Sequence, residues 1–230
     1  MRLRSIIGIL AIALSLNGCM YKIWVSGLGS SLDAGFRFVV LPMGEGLRAN
    51  DLQFQEYASY IIYALAGKGY EHVEALEQAD VAVFLDYGIG NPEQVAYTYA
   101  FPVYVPGSTT TVSGYSSGTG AITATATTKP TYKTKTGTGT RTQYTRRLVL
   151  DVVDVRQYLQ TEEVVSVWKT TVTSTGKSGD LRTVFPYLVY AAVPHLGKDT
   201  GKALKVTITD GDLKVLDFQK RAREQKVESR

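Results

Sequence analysis

Hydrophobic and polar positions recur along this chain with two periods, and the changes of period predict its elements. Phe36 to Leu41 (FRFVVL) is an apolar β-type run closed by Pro42 and the glycines after it. Asn50 with Gln53 three positions on resembles a capping box, and Leu52, Phe54, Ala58, Ile61, Ile62 and Leu65 then recur at spacings of three and four. That is one buried helix face, stopped at Gly67 or Gly69, with Tyr57, Tyr60 and Tyr63 as packing residues. Asp80 to Ile89 switches to period two, with Val81, Val83, Leu85, Tyr87 and Ile89 on one face of a strand. The alternation continues through Val95, Tyr97, Tyr99, Phe101, Val103 and Val105, where Pro102 and Pro106 mark a sheet edge or an exit from it.

Arg147 to Val155 and Val164 to Val172 are the strongest strand segments, joined by the polar stretch Arg156 to Glu163 into an expected antiparallel hairpin with Trp168 in the core. Thr183 is expected to cap a second helix with Pro186 in its first turn, and Leu181, Val184, Phe185, Leu188, Ala192 and Leu196 fit its buried face. Ala203 to Ile208 reads as a strand that Asp210-Gly211 turns into a further strand, Leu213 to Leu216. The fold class expected from this order is α+β, a mainly antiparallel sheet with two helices packed on one face. To it is added a long Thr/Gly/Tyr-rich hairpin or loop insertion.

Composition locates that insertion. Residues 107 to 145 are dominated by Thr, Ser and Gly, carry few large aliphatics, and include Lys129, Lys133, Lys135 and Arg141. Two readings stand side by side: a mobile loop that buries too little apolar surface to offset its ordering, or an extended hairpin arm favoured by β-branched Thr. Residues 21 to 35, rich in Gly and Ser, read as a tether, with Trp24 either at lipid headgroups or against the domain.

The first residues specify an address. Arg2 and Arg4 precede an apolar run, Ile6 to Leu16, far shorter than the roughly 20 residues a membrane-spanning helix requires. It is expected to be an export signal. Leu16, Asn17 and Gly18 before Cys19 resemble the lipobox of bacterial lipoproteins. The resemblance implies that signal peptidase reads these three residues, and that Cys19 carries a thioether-linked diacylglycerol and an N-acyl chain after cleavage. Two or three acyl chains, at about 0.8 kcal/mol per buried methylene, make a firm anchor. Met20 stands where Asp would retain an enteric lipoprotein at the inner membrane, which points to the outer membrane. The expected organisation is a signal peptide over 1–18, a lipidated N-terminus and tether over 19–35, an α+β domain over 36–216 with its insertion at about 107–145, and a charged tail or terminal helix over 217–230.

The net charge of +4 falls to +2 without Arg2 and Arg4, and it is scattered, so nucleic acid is not an expected partner. The one cysteine precludes an internal disulfide. The segments FVVLP, YALAGKGY, ADVAVFLDYG, LVLDVVDV and VVSVW, behind a lipobox, resemble the DUF4136 group of bacterial lipoproteins. There a glycine-aromatic pair after a helix precedes Ala-Asp and an apolar strand, here Gly69-Tyr70 and Ala79-Asp80. The resemblance covers roughly residues 36–100 and 144–208, and it implies the fold and an envelope location but no reaction.

No catalytic or metal-ligating set is expected. His72 and His195 stand apart from any nucleophile-elbow pattern and read as exposed or capping residues. Asp80, Asp86, Asp151 and Asp154 lack the spacing of a calcium loop and read as strand carboxylates facing solvent. No cofactor is expected beyond the lipid on Cys19. The function expected is that of a non-catalytic, lipid-anchored envelope protein on the periplasmic side of the outer membrane, acting in envelope structure or protein assembly. Membrane contact would come through the anchor, and Tyr97, Tyr99, Tyr104, Tyr115, Tyr132 and Tyr144 are the candidate contacts for an envelope protein partner. The alternatives are a surface-exposed, self-associating adhesive lipoprotein, or an enzyme acting on glycans through a carboxylate pair such as Asp86 and Asp154.

Overall fold

A ten-residue strand, β1 (Met20–Gly29), opens the described chain where the sequence reading places a tether. The computed structural model describes residues 20–29, 34–44 and 46–228. In β1, Ile23 and Val25 are fully buried; the period of two puts residue 27 on the same side, and it is a glycine where the Lys198 carbonyl occupies the space a Cβ would take. Trp24 points to the opposite face, half-buried between Thr173 and Lys205 of its neighbours. Gly and Ser mask a two-residue period here; the tether is replaced by a strand.

The remaining elements in chain order are β2 (Arg37–Pro42), α1 (Leu52–Ala66), β3 (Glu71–His72), β4 (Val81–Ile89) and β5 (Glu93–Val105). Then come β6 (Thr109–Ser116), β7 (Gly120–Thr127), β8 (Thr131–Asp154), α2 (Val155–Thr161) and β9 (Ser166–Gly176). The chain closes with α3 (Leu181–Ala192), β10 (Leu204–Thr209) and α4 (Leu213–Glu228). Two compact units result: the described residues of Met1–Asn91 with Tyr144–Arg230, and Pro92–Gln143.

The ladder order is β10-β1-β9-β8-β4-β2-β3, and with β5, which pairs with Thr131–Gln143 of β8, the sheet counts eight strands. It is mixed, which corrects the expected mainly antiparallel sheet: β2 runs parallel to both β3 and β4, while the other pairs are antiparallel. The order β2–α1–β4 makes this possible, since parallel neighbours need a crossover long enough to hold a helix. Among the described residues four α-helices, not two, accompany the strands, and strands account for 48% of those residues. α1, α3 and α4 share the core of one sheet face, whereas Val155 at the start of α2 packs with Val39, Ala79 and Ala82 on the other.

Several local signals shift by a residue or two. Asp51 rather than Asn50 precedes α1, and Gln53 donates to the Tyr57 hydroxyl at 3.1 Å instead of closing a capping box. α1 ends through Gly69 in the left-handed region (φ +91°), with the Tyr70 N–H returning to the Leu65 carbonyl at 3.1 Å. Asp180, not Thr183, caps α3: its carboxylate accepts from the Arg182 and Thr183 N–H groups and the Thr183 hydroxyl. Pro186 therefore lies inside the helix and not in its first turn. Leu213–Leu216 starts α4 and is no strand; Val215, Phe218 and Ala222 form its narrow buried stripe.

The core of the first unit centres on aromatic stacking. Tyr57 lies flat on Phe185, with centroids 3.9 Å apart at 10°, and Tyr87 meets both rings edge-on. Large side chains buried this fully each contribute roughly 1.5–3 kcal/mol of transfer free energy. β8 also carries a fully buried Arg146, whose guanidinium lies so close to Gly176 that a Cβ there would stand 2.5 Å from Nη2.

Candidate interaction surface

The Pro92–Gln143 unit consists of two strand pairs. The Thr-rich stretch is extended, because β-branched Thr on paired strands meets Thr across the ladder. The hydroxyls of Thr109 and Thr127 are 3.5 Å apart, those of Thr111 and Thr125 3.4 Å, and those of Ser113 and Thr123 3.4 Å. Between the pairs, Pro106-Gly107 and Lys129-Pro130 interrupt the ladder. There the Thr128 N–H donates to the Ser108 carbonyl at 2.8 Å and Gly107 is pressed on the Thr128 carbonyl.

Register sorts the β5–β8 ribbon into two unlike faces. Opposite residues share a face, so Val95, Tyr97, Tyr99, Phe101 and Val103 stand with Arg141, Gly139, Gly137, Lys135 and Lys133 respectively. The other face carries Ala96, Thr98, Ala100, Pro102 and Tyr104 against Thr140, Thr138, Thr136, Thr134 and Tyr132. On the first face the rings form a row, with Tyr97–Tyr99 centroids 5.9 Å apart and Tyr99–Phe101 centroids 5.8 Å apart. The two tyrosines lie over glycines of the partner strand: a Cβ at Gly137 would be 2.8 Å from Tyr99 Cζ, and one at Gly139 3.0 Å from Tyr97 Cζ. The Arg141 guanidinium stands 6.0 Å from the Tyr97 centroid, within cation–π range. The result is a row of mutually tilted aromatic rings flanked by three cations, its residues between 39% and 47% exposed.

Of the candidate tyrosines, Tyr97 and Tyr99 meet on this face, and Tyr104 and Tyr132 meet edge-on at 5.4 Å on the opposite one. Tyr115 is almost wholly exposed near the end of β6. Tyr144 belongs to the other unit, where its ring lies 2.9 Å from the position of a Cβ on Gly179, so it does not join the others. Phe101, Arg141 and the two glycines complete the row and are missing from the sequence-based set. The period-two run pointed to Phe101, but the glycines acquire a role only through register. Cys19, Leu16, Asn17 and Gly18 lie outside the described residues.

In the first unit, the strand carboxylates are structural and do not simply face solvent. Buried Asp80 accepts from the Phe36 and Arg37 N–H groups at 3.2 and 3.0 Å and from the Arg37 guanidinium at 3.0 and 3.3 Å. The guanidinium hydrogen bond, aided by the backbone donors, lowers its pKa to about 2. Asp86 pairs with Arg147 at 2.6 Å, Asp151 with Lys169 at 2.8 Å, and Asp154 caps α2 through the Gln157 N–H. Among the described residues, no three His, Cys, Asp or Glu gather as a metal site.

A cleft of about 720 Å³ opens between α1, α4 and the β3 edge, lined by Val40, Phe54, Ile62, Tyr70, His72 and Glu74 among others. His72 is exposed at the rim, as the sequence suggested, yet its ring packs edge-on against Phe38, and the partial desolvation holds its pKa below the ordinary value despite the nearby Glu74. Ser59, also in the wall, donates its hydroxyl to the Glu56 carbonyl of its own helix at 2.6 Å. Among the described residues no helix is long and apolar enough to cross a membrane.

No family model matches the chain, and no curated protein matches it. Among solved structures, a similar chain is that of a PDZ domain protein from Parabacteroides distasonis ATCC 8503. It is 10% identical, with a TM-score of 0.37, over 84% of this chain and 40% of that one, so this chain spans less than half of that protein's length.

Proposed function

We propose that this protein is a non-catalytic, lipid-anchored component of the bacterial cell envelope, held on the periplasmic side of the outer membrane, where it assembles with another envelope protein. The exposed aromatic row Tyr97–Tyr99–Phe101, on a ribbon unit of its own, is the observation that carries the assembly role. Tyr offers large amphipathic contact area at low entropic cost, and open ribbon edges invite strand addition. The anchor rests on Leu16-Asn17-Gly18-Cys19 behind a short apolar run.

Photo-crosslinkers placed in cells at Tyr99 and Tyr132, together with mass spectrometry of the native N-terminus after membrane fractionation, test the two halves. A reproducible crosslinked protein and a tri-acylated Cys19 in the outer-membrane fraction are expected. Recovery of no reproducible partner overturns the assembly role, and an unmodified Cys19 overturns the anchor. The Thr ladder of β6 and β7 favours a second reading, self-association at the cell surface; crosslinks confined to copies of this chain, and ribbon cleavage by protease on intact cells, would select it.

A further inference from the structure

We infer that the aromatic–cationic face of the ribbon takes an acidic polypeptide segment, added in extended form along the open edge of Thr131–Gln143. The inference rests on the assembly role just proposed and specifies its partner. Among the described residues, Thr131–Gln143 is paired with β5 on one side and with no strand on the other. It contains no proline, so every backbone donor is in place, whereas β5 loses one at Pro102.

Charge decides what such an edge accepts. From Gln94 to Gln143 there is no Asp or Glu, while Lys129, Lys133, Lys135 and Arg141 are present, the last three on the aromatic face. A second copy of this edge would set these cations close to their own kind, and edge lysines are a recognised device against self-pairing. Directly opposite side chains on neighbouring strands approach to about 4.5–5.5 Å, so carboxylates at alternate positions of an added strand would reach Lys133, Lys135 and Arg141. Between these cations Gly137 and Gly139 present no side chain of their own, only the Tyr99 and Tyr97 rings lying over them. The complementary strand therefore carries acidic residues toward Lys133, Lys135 and Arg141 and apolar ones toward the glycines.

The probe is a synthetic peptide alternating threonine with Glu, Val, Val, Glu and Glu, titrated onto the full chain by isothermal calorimetry at low and physiological salt. Three companions accompany it: a version with Lys for Glu, a version N-methylated at alternate amides, and vesicles of phosphatidylglycerol. The Glu peptide is expected to bind at least about tenfold more tightly than the Lys peptide, with affinity falling as salt rises. N-methylation should abolish binding, because strand addition depends on the main-chain bonds. Lys133→Glu with Lys135→Glu should invert the preference between the two peptides, with the circular dichroism spectrum unchanged. Equal binding of both peptides, survival of binding after N-methylation, or capture of the vesicles in preference to the peptide overturns the inference; the last would assign the face to a lipid surface. A protein crosslinked in cells that has no acidic extended segment also overturns it, while leaving the assembly role intact.

Discussion

The ring of Tyr99 rests on Gly137 of the paired strand, where a Cβ would stand 2.8 Å from Cζ and 3.0 Å from the hydroxyl oxygen. The clash is with the far end of an exposed side chain, so the ring can swing away at little cost to the fold. Gly137→Ala is therefore expected to change unfolding free energy by no more than about 0.5 kcal/mol, the usual range for a surface site. It should nonetheless break the aromatic row. Chemical denaturation would read the first effect, and reduced crosslinking from a probe at Phe101 the second; loss of several kcal/mol would show that the ribbon depends on the ring resting on Gly137.

Asp80 ties the entry of β2 to the start of β4 through Arg37 and two backbone N–H groups. Its pKa is depressed from 3.8 to about 2, so the folded state favours the carboxylate. The contribution is fully present above the unfolded value and is lost as pH falls from about 4 to about 2. Asp80→Asn should weaken folding at neutral pH, by about 1–3 kcal/mol for a buried group whose charged hydrogen bonds are lost. It should also flatten the stability profile in that acid window. Urea denaturation at intervals between pH 5 and pH 2 checks both; parallel profiles for the two proteins would remove Asp80 as the titrating group.

At the alkaline end the aromatic core responds. Burial raises the Tyr87 phenol to about 12 and raises Tyr57 as well, in each case because the phenolate would lose its hydration. These neutral phenols favour the folded state fully below the ordinary value near 10, and their contribution fades as pH climbs toward 12. In an alkaline absorbance titration, Tyr57 and Tyr87 are expected to ionise late, together with unfolding. Phe185→Ala removes the ring stacked on Tyr57 and should cost about 3–5 kcal/mol while lowering the late transition.

Elements with an unbroken period were legible in the sequence, and those whose pattern depends on distant partners were not. α1 and β4 follow their apolar spacings nearly residue for residue, and β8 and β9 pair antiparallel as their patterns suggested. The parallel register of β2 with β4 was missed because strand order in space is not local information, although strand–helix–strand order was its one available signal. α4 was obscured by charge: only Val215, Phe218 and Ala222 are buried among its described side chains, too narrow a stripe to stand out from Lys, Arg and Glu. In the candidate surface, the run of alternating aromatics was visible. Its floor was not, because Gly137 and Gly139 look like low-complexity filler until register sets them under Tyr99 and Tyr97.

The assignment of Met20–Gly29 to the sheet has its own test at Gly27. Its N–H donates to the Thr200 hydroxyl and its carbonyl accepts from the Thr200 N–H, both at 3.0 Å, so the 198–200 loop is drawn down onto the strand. A side chain at this position meets the Lys198 carbonyl, and a backbone group cannot rotate aside as a tyrosine ring can. Gly27→Ala is expected to destabilise the protein by about 1–3 kcal/mol, the cost of overpacking a filled site. Gly46→Ala, where φ is +78° but no atom lies within 4 Å, isolates backbone strain from crowding. If the 20–29 segment were a tether, Gly27→Ala would leave the thermal midpoint untouched; a clear drop, with loss of hydrogen-exchange protection at Ile23 and Val25, is the result that β1 in the sheet requires.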